Sequence, residues 1–129
     1  MTKVRRKVLY VEDSPENRRL VRLVLENEGY EVVEIDDGAA AVEGVRQHAP
    51  DLILMDMHLP NLDGYEITRR IRQLPEFAAV PIVALTASVL KADKDRALRA
   101  GCTGFIQKPI DVDRFPRQIG EFFSDRPCS

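Results

Sequence analysis

Pro50-Asp51-Leu52-Ile53-Leu54-Met55-Asp56-Met57-His58-Leu59-Pro60 is the stretch that decides how this chain folds. Its centre is apolar without alternation, the mark of a strand covered on both faces, as in a parallel sheet. Two more runs read the same way, Val8–Val11 and Pro81–Thr86. With Asp51–Met55 from the quoted stretch, and the weaker runs Glu31–Ile35 and Gly104–Gln107, the expected strands number five. Helical spacing fills the intervals. Ser14-Pro15 opens a helix as N-cap and first turn, Leu20, Val21, Val24 and Leu25 form its apolar face, and Gly29 stops it. A second helix is expected from about Gly38 to His48, and a third from near Asp63 through Ile67 and Ile71. A fourth is expected from about Leu90 to Ala100, closed by Gly101. The fifth is expected from near Asp111, with Phe115, Ile119, Phe122 and Phe123 on it and Pro116 in its first turn. Strand and helix alternate five times, so the fold class is α/β: a doubly wound five-stranded parallel sheet with right-handed crossovers. The common order for such a sheet is 2-1-3-4-5, with the ligand site beyond the carboxyl ends of the strands.

The bulk properties agree with one ordinary domain. The chain has 129 residues, 19 Lys and Arg against 21 Asp and Glu, a net charge of -2, 44% hydrophobic and 31% charged residues. Disorder, collagen, a disulfide scaffold and a membrane span are excluded by composition and by the absence of a long apolar run. Near-neutral charge gives no general reason to bind nucleic acid. The basic clusters at Lys3 to Lys7, at Arg18, Arg19 and Arg22, and at Arg69, Arg70 and Arg72 are expected to be solvated faces. Cys102 and Cys128 lack the spacing of a zinc site; Cys102 is expected to be buried and Cys128 to sit in the tail. A reducing, cytoplasmic setting follows as the default.

The strand ends carry the chemistry. The first ends in Glu12-Asp13, the third in Asp56, the fourth in Thr86 and the fifth in Lys108-Pro109. In the order 2-1-3-4-5 these ends are neighbours, spanning roughly 14 Å at one mouth. Singly, each has an ordinary reading: a helix cap, a loop residue, a strand hydroxyl, a solvated lysine. Together they bring three carboxylates to one crevice, and two unit charges 4 Å apart repel by about 4 kcal/mol at an effective dielectric of 20. Lys108 offsets part of this, and a hard divalent cation, Mg2+ with Mn2+ as a substitute, suits the remaining oxygens. The acidic turn Val-Glu-Asp-Ser-Pro argues against a phosphate-cradling nucleotide loop, which needs glycines and free N–H groups. A carboxylate beside a cation, a hydroxyl and a lysine is suited to phosphoryl transfer, with Asp56 as nucleophile.

At this point the residues resemble a known family, the receiver domain of two-component response regulators. The matching stretches are Val-Leu-Tyr-Val-Glu-Asp-Ser-Pro, Pro-Asp-Leu-Ile-Leu-Met-Asp-Met-His-Leu-Pro, Asp-Gly-Tyr-Glu, Pro-Ile-Val-Ala-Leu-Thr-Ala and Ala-Gly-Cys-Thr-Gly-Phe-Ile-Gln-Lys-Pro. They run in family order, and the chain looks most like single-domain regulators of the chemotaxis and cell-cycle kinds or the receivers of hybrid kinases. The resemblance implies a flavodoxin-like (βα)5 receiver fold filling about residues 7–123 of a single domain, 1–129, flanked by a short basic N-terminal stub and a C-terminal tail. It implies that Asp56 takes a phosphoryl group from a histidine of a sensor kinase or phosphotransfer protein. Asp13 and Asp56 would ligate Mg2+ with Glu12 close by, and the backbone carbonyl of His58 would be a further ligand. Thr86 would hydrogen-bond a phosphoryl oxygen and Lys108 would pair with the group. Phe105 would be the aromatic switch residue that swings when Thr86 moves, and the Lys108–Pro109 bond would be cis. His58 and Ser88 stand where the family varies and are expected to tune dephosphorylation. The acidic pair here is Glu-Asp rather than the commoner Asp-Asp.

The resemblance also implies a signalling protein rather than a true enzyme, catalysing only its own phosphotransfer and autodephosphorylation. Its output would be a change of downstream protein partner at the fourth helix, fifth strand and fifth helix, with no direct contact to nucleic acid or membrane. Two rivals remain. An aspartyl phosphatase or mutase wants an acid two residues after its nucleophile, where this chain has His58. A phosphorylation-independent interaction module would have no use for the intact constellation.

Overall fold

The computed structural model of the protein describes residues 6–59, 63–88 and 90–124. Lys3 and Arg5 of the basic stub, Pro60 of the third-strand motif and Cys128 of the tail lie outside the described residues. The strands are β1 (Lys7–Val11), β2 (Glu31–Ile35), β3 (Leu52–Asp56), β4 (Ile82–Thr86) and β5 (Gly104–Gln107). The helices are α1 (Pro15–Asn27), α2 (Ala41–His48), α3 (Gly64–Arg72), α4 (Lys91–Ala100) and α5 (Phe115–Ser124). All pairings are parallel and the order is β2-β1-β3-β4-β5, as expected for the doubly wound class. Among the described residues, no helix is long and apolar enough to cross a membrane.

The three runs without alternation are the three central strands, and β3 and β4 are buried at every residue. Side chains alternate between faces along a strand, which sorts them into two cores. Val8, Tyr10, Leu52, Leu54, Val83, Leu85 and Ile106 meet Val21 and Leu25 of α1 and Phe115, Ile119 and Phe123 of α5. Leu9, Val11, Ile53, Met55, Ile82 and Ala84 meet α2, α3 and α4 through Ala41, Val45, Ile67, Ile71, Ala97 and Ala100.

Two helices start later than their sequence suggests. α2 begins at Ala41 because Asp37 accepts the Ala39 N–H and winds Gly38–Ala40 into a 3-10 turn. α5 begins at Phe115 because Asp111 accepts the Asp113 N–H and closes a turn, leaving Val112 exposed. α1 starts as read, with the Ser14 hydroxyl accepting the Asn17 N–H. The basic clusters need a correction. Arg72 is half-buried: its guanidinium donates to the carbonyls of Gly101, Phe77 and Val80 and to the Thr103 hydroxyl. Arg18 likewise turns inward, donating to the Glu12 carbonyl and pairing with Glu34.

Candidate phosphoryl-transfer site

Strand parity aims the site residues. Glu12 lies two residues beyond Tyr10, Asp56 two beyond Leu54, and Lys108 two beyond Ile106, so all three extend the α1/α5 face of the sheet. Thr86 and Phe105 follow the opposite parity and belong with the α4 side; Phe105 packs against that core. The strand ends therefore split a charged group from a hydroxyl and an aromatic ring.

The charged group is compact. Carboxylate oxygens of Glu12, Asp13 and Asp56 all lie within 4.8 Å of one another. Glu12 and Asp56 are buried and Asp13 is exposed. The Lys108 ammonium bridges the two buried acids, 3.3 Å from Glu12 Oε1 and 3.2 Å from Asp56 Oδ1. One lysine against three carboxylates leaves two negative charges over, and all donors are hard oxygens, so this set fits a divalent cation such as Mg2+.

The two buried acids are also held by neutral donors. The His58 N–H donates to Asp56 Oδ1 at 3.0 Å. The Tyr10 hydroxyl donates to Glu12 Oε1 at 2.8 Å, and the Ser14 N–H reaches Oε2 at 3.3 Å. Burial pushes the Tyr10 hydroxyl pKa far up, and the charges of Glu12 and Asp56 push the same way, so it stays a donor. On the other side of Asp56, the Gly64 position at the start of α3 presses on the strand end. A Cβ there would sit 2.8 Å from the Asp56 carbonyl oxygen, so only glycine fits.

Thr86 is buried, and its hydroxyl lies 3.3 Å from His58 Nε2 and accepts the Ser88 N–H at 3.1 Å. Ser88 in turn donates to Asp93 in the first turns of α4. Phe105 stands apart from the carboxylates, half-buried, with the Lys94 ammonium 4.7 Å from its ring centroid. The Lys108–Pro109 bond is cis. A cavity of 260 Å³ opens beside Lys108, lined by Asn17, Ala87, Pro109 and Ile110.

Two participants are not evident from motif reading alone. Tyr10 passes as one more apolar strand residue, although its place two before Glu12 already puts it on the same face. The contact from His58 to Thr86 depends on β3 lying beside β4.

Comparison with known proteins places these features in a family. A sequence model described as the response regulator receiver domain matches residues 8–119. The polar-differentiation response regulator DivK of Brucella anthropi is 39% identical over 118 residues, covering 92% of this chain and 96% of that protein. The chemotaxis protein CheY4 of Vibrio cholerae superposes with a TM-score of 0.88 at 28% identity, covering 92% of this chain and 99% of that one. The receiver domain of the sensor histidine kinase PA1611 of Pseudomonas aeruginosa, solved with a magnesium ion coordinated in its active site cleft, superposes with a TM-score of 0.85. That domain is 36% identical, with 95% of this chain and all of the other (100%) covered.

Proposed function

The chain belongs to the response regulator receiver domain family, and from that premise we propose that it accepts a phosphoryl group on Asp56 from a phosphohistidine. The donor is a sensor histidine kinase or a histidine phosphotransfer protein, and the setting is the cytoplasm. The observation that carries the reading is the cluster of Glu12, Asp13 and Asp56 oxygens within 4.8 Å, with Lys108 bridging the two buried acids. Receiver domains generally bind Mg2+ in such an acidic cluster. Here Asp13, Asp56 and the His58 carbonyl would hold the ion, with Glu12 beside it. It would supply positive charge against the phosphoryl oxygens.

The residues of the chain do the rest. A carboxylate oxygen of Asp56 forms a bond to phosphorus while the phosphorus–nitrogen bond of the donor breaks. The electron pair of that bond returns to the donor imidazole. Lys108 moves from Asp56 Oδ1 to a phosphoryl oxygen, a shift of a few ångströms for a flexible ammonium. The Thr86 hydroxyl turns from His58 to donate to a second oxygen. That pull draws on Ser88, whose backbone N–H holds Thr86 and whose hydroxyl holds Asp93 of α4. Phe105 then swings, and the face formed by α4, β5 and α5 changes partner. His58 and Ser88, flanking Thr86, tune how water later reaches the acyl phosphate.

Intact-mass measurement after incubation with Mg2+ and acetyl phosphate tests this. A single phosphoryl adduct is expected, absent in Asp56→Asn and absent when the metal is chelated. No adduct under any condition would favour a phosphorylation-independent interaction module. Turnover of unrelated phosphoesters would favour a phosphatase.

A further inference from the structure

We infer that the Tyr10 hydroxyl is a positioning group for the phosphoryl transfer: it keeps the buried Glu12 carboxylate in place when Lys108 leaves it. The inference rests on the receiver reading above. It adds a residue that the acidic motif does not contain.

The geometry begins with the strand. Tyr10 and Glu12 are on the same face of β1, with Cβ positions about 7 Å apart along it. Tyr10 is fully buried, its ring among the apolar residues facing α1 and α5. Only its hydroxyl is polar, and that hydroxyl ends 2.8 Å from Glu12 Oε1. A glutamate bridges the gap that an aspartate, one methylene shorter, would leave wider. The Glu-Asp pair is thereby matched to the tyrosine two residues earlier.

The same oxygen also takes the Lys108 ammonium at 3.3 Å, and Lys108 is shared with Asp56 at 3.2 Å. The lysine is the mobile partner, because a phosphoryl group on Asp56 competes for it. A buried carboxylate oxygen that loses its only donor bears the full cost of desolvation. Tyr10 prevents this. It is neutral, rigid and held by its ring, so Glu12 Oε1 keeps a donor in both states while the lysine changes partner. Without it, Glu12 follows the ammonium or rotates away, and the acidic cluster loses its shape. Groups that orient metal-binding carboxylates in this way matter to affinity almost as much as the ligands.

Calorimetric titration of Mg2+ tests the inference in a Lys108→Ala background, where the ammonium has left Glu12, on four proteins: that background itself and its Tyr10→Phe, Glu12→Asp and double variants, with the unaltered chain titrated alongside. Phenylalanine keeps the ring and the packing, and far-ultraviolet circular dichroism checks that the fold is retained. Tyr10→Phe is expected to weaken Mg2+ binding about tenfold. In the Glu12→Asp background, where the carboxylate no longer reaches the hydroxyl, the same change is expected to add nothing. An unchanged dissociation constant in Tyr10→Phe overturns the inference, as does equal weakening in both backgrounds, which would mean that Tyr10 acts through packing. Absence of Mg2+ binding and of a phosphoryl adduct in the unaltered chain would overturn the receiver reading itself, and this inference with it.

Discussion

α5 and α4 flank the same strand, β5, yet they are held to the sheet by different forces. α5 drives Phe115, Ile119 and Phe123 into the core. α4 contributes Ala97 and Ala100, and the rest of its grip is polar and near the surface. Arg96 pairs with Asp63 at 2.9 Å and lies 4.1 Å above the Tyr65 ring, while Lys94 covers Phe105. Apolar burial is worth about 25 cal/mol per Å2, so three large side chains outweigh two methyl groups severalfold. Exposed ion pairs contribute about 0 to 1 kcal/mol each. One helix is therefore a wall and the other a panel held by weak catches. That division would suit the proposed function, in which charge added at Asp56 moves one surface and leaves the sheet intact.

The comparison can be broken by measurement. Phe115→Ala should cost about 3–5 kcal/mol of unfolding free energy, whereas Ala97→Gly should cost about 1 kcal/mol. Equal losses by urea denaturation would show that the two helices are anchored alike. A smaller effect is expected from Lys94→Ala and Arg96→Ala, each about 1 kcal/mol or less. Hydrogen exchange should nonetheless quicken across Lys91–Ala100 in these variants while α5 stays protected. Parallel quickening in both helices would contradict the division.

The smallest effect is chemical and sits where α4 meets β5. Burial pushes the Cys102 thiol up to about 11, from an ordinary value of 9.0. The folded state thus holds its proton more tightly than the unfolded one. The associated stability is complete below pH 9, declines between 9 and 11, and is gone once the folded thiol ionises. In a Cys128→Ser background at pH 8, Cys102 should label slowly with a thiol reagent, and faster when Arg96→Ala loosens α4. Rapid labelling of the intact protein would mean that this end of α4 is open.

Much of this was readable in the chain, and for identifiable reasons. Leu52–Met55, Val8–Val11 and Ile82–Leu85 are covered on both faces, so their unbroken apolar runs marked the interior of the sheet. The ends of those runs and of Gly104–Gln107, set side by side in the order 2-1-3-4-5, then placed Glu12, Asp56 and Lys108 at one mouth. Strand order was different: no residue of β1 states that it lies between β2 and β3, and that came from the habits of the fold class. Arg72 was misleading because its neighbours Arg69 and Arg70 are exposed and pair with Glu66, while its own partners are carbonyls of Phe77 and Val80, just past α3, and of Gly101 at the end of α4. Tyr10 was hidden by its bulk, since a ring in an apolar run reads as packing until the hydroxyl is given a direction. The late start of α5 reflects the side chain of Asp111, which competes with the helix for a backbone donor.

The guanidinium of Arg72 has a mechanical consequence. It grips the Gly101 carbonyl at 2.8 Å, at the closing end of α4, where a φ of 119° already requires glycine. The opposite end of the helix starts at Leu90 with no side-chain cap. A rod pinned at one end and tied at the other through the Ser88 hydroxyl, which takes the Leu90 N–H and meets Asp93, swings about the pin when that tie is pulled. If α4 moves, Gly101 is the fulcrum. The greatest travel then falls on the first turns, near Leu90, Lys91 and the Asp93 that Ser88 holds. A displacement of less than an ångström at Thr86 would be levered there into a larger one, at the tip farthest from the pin.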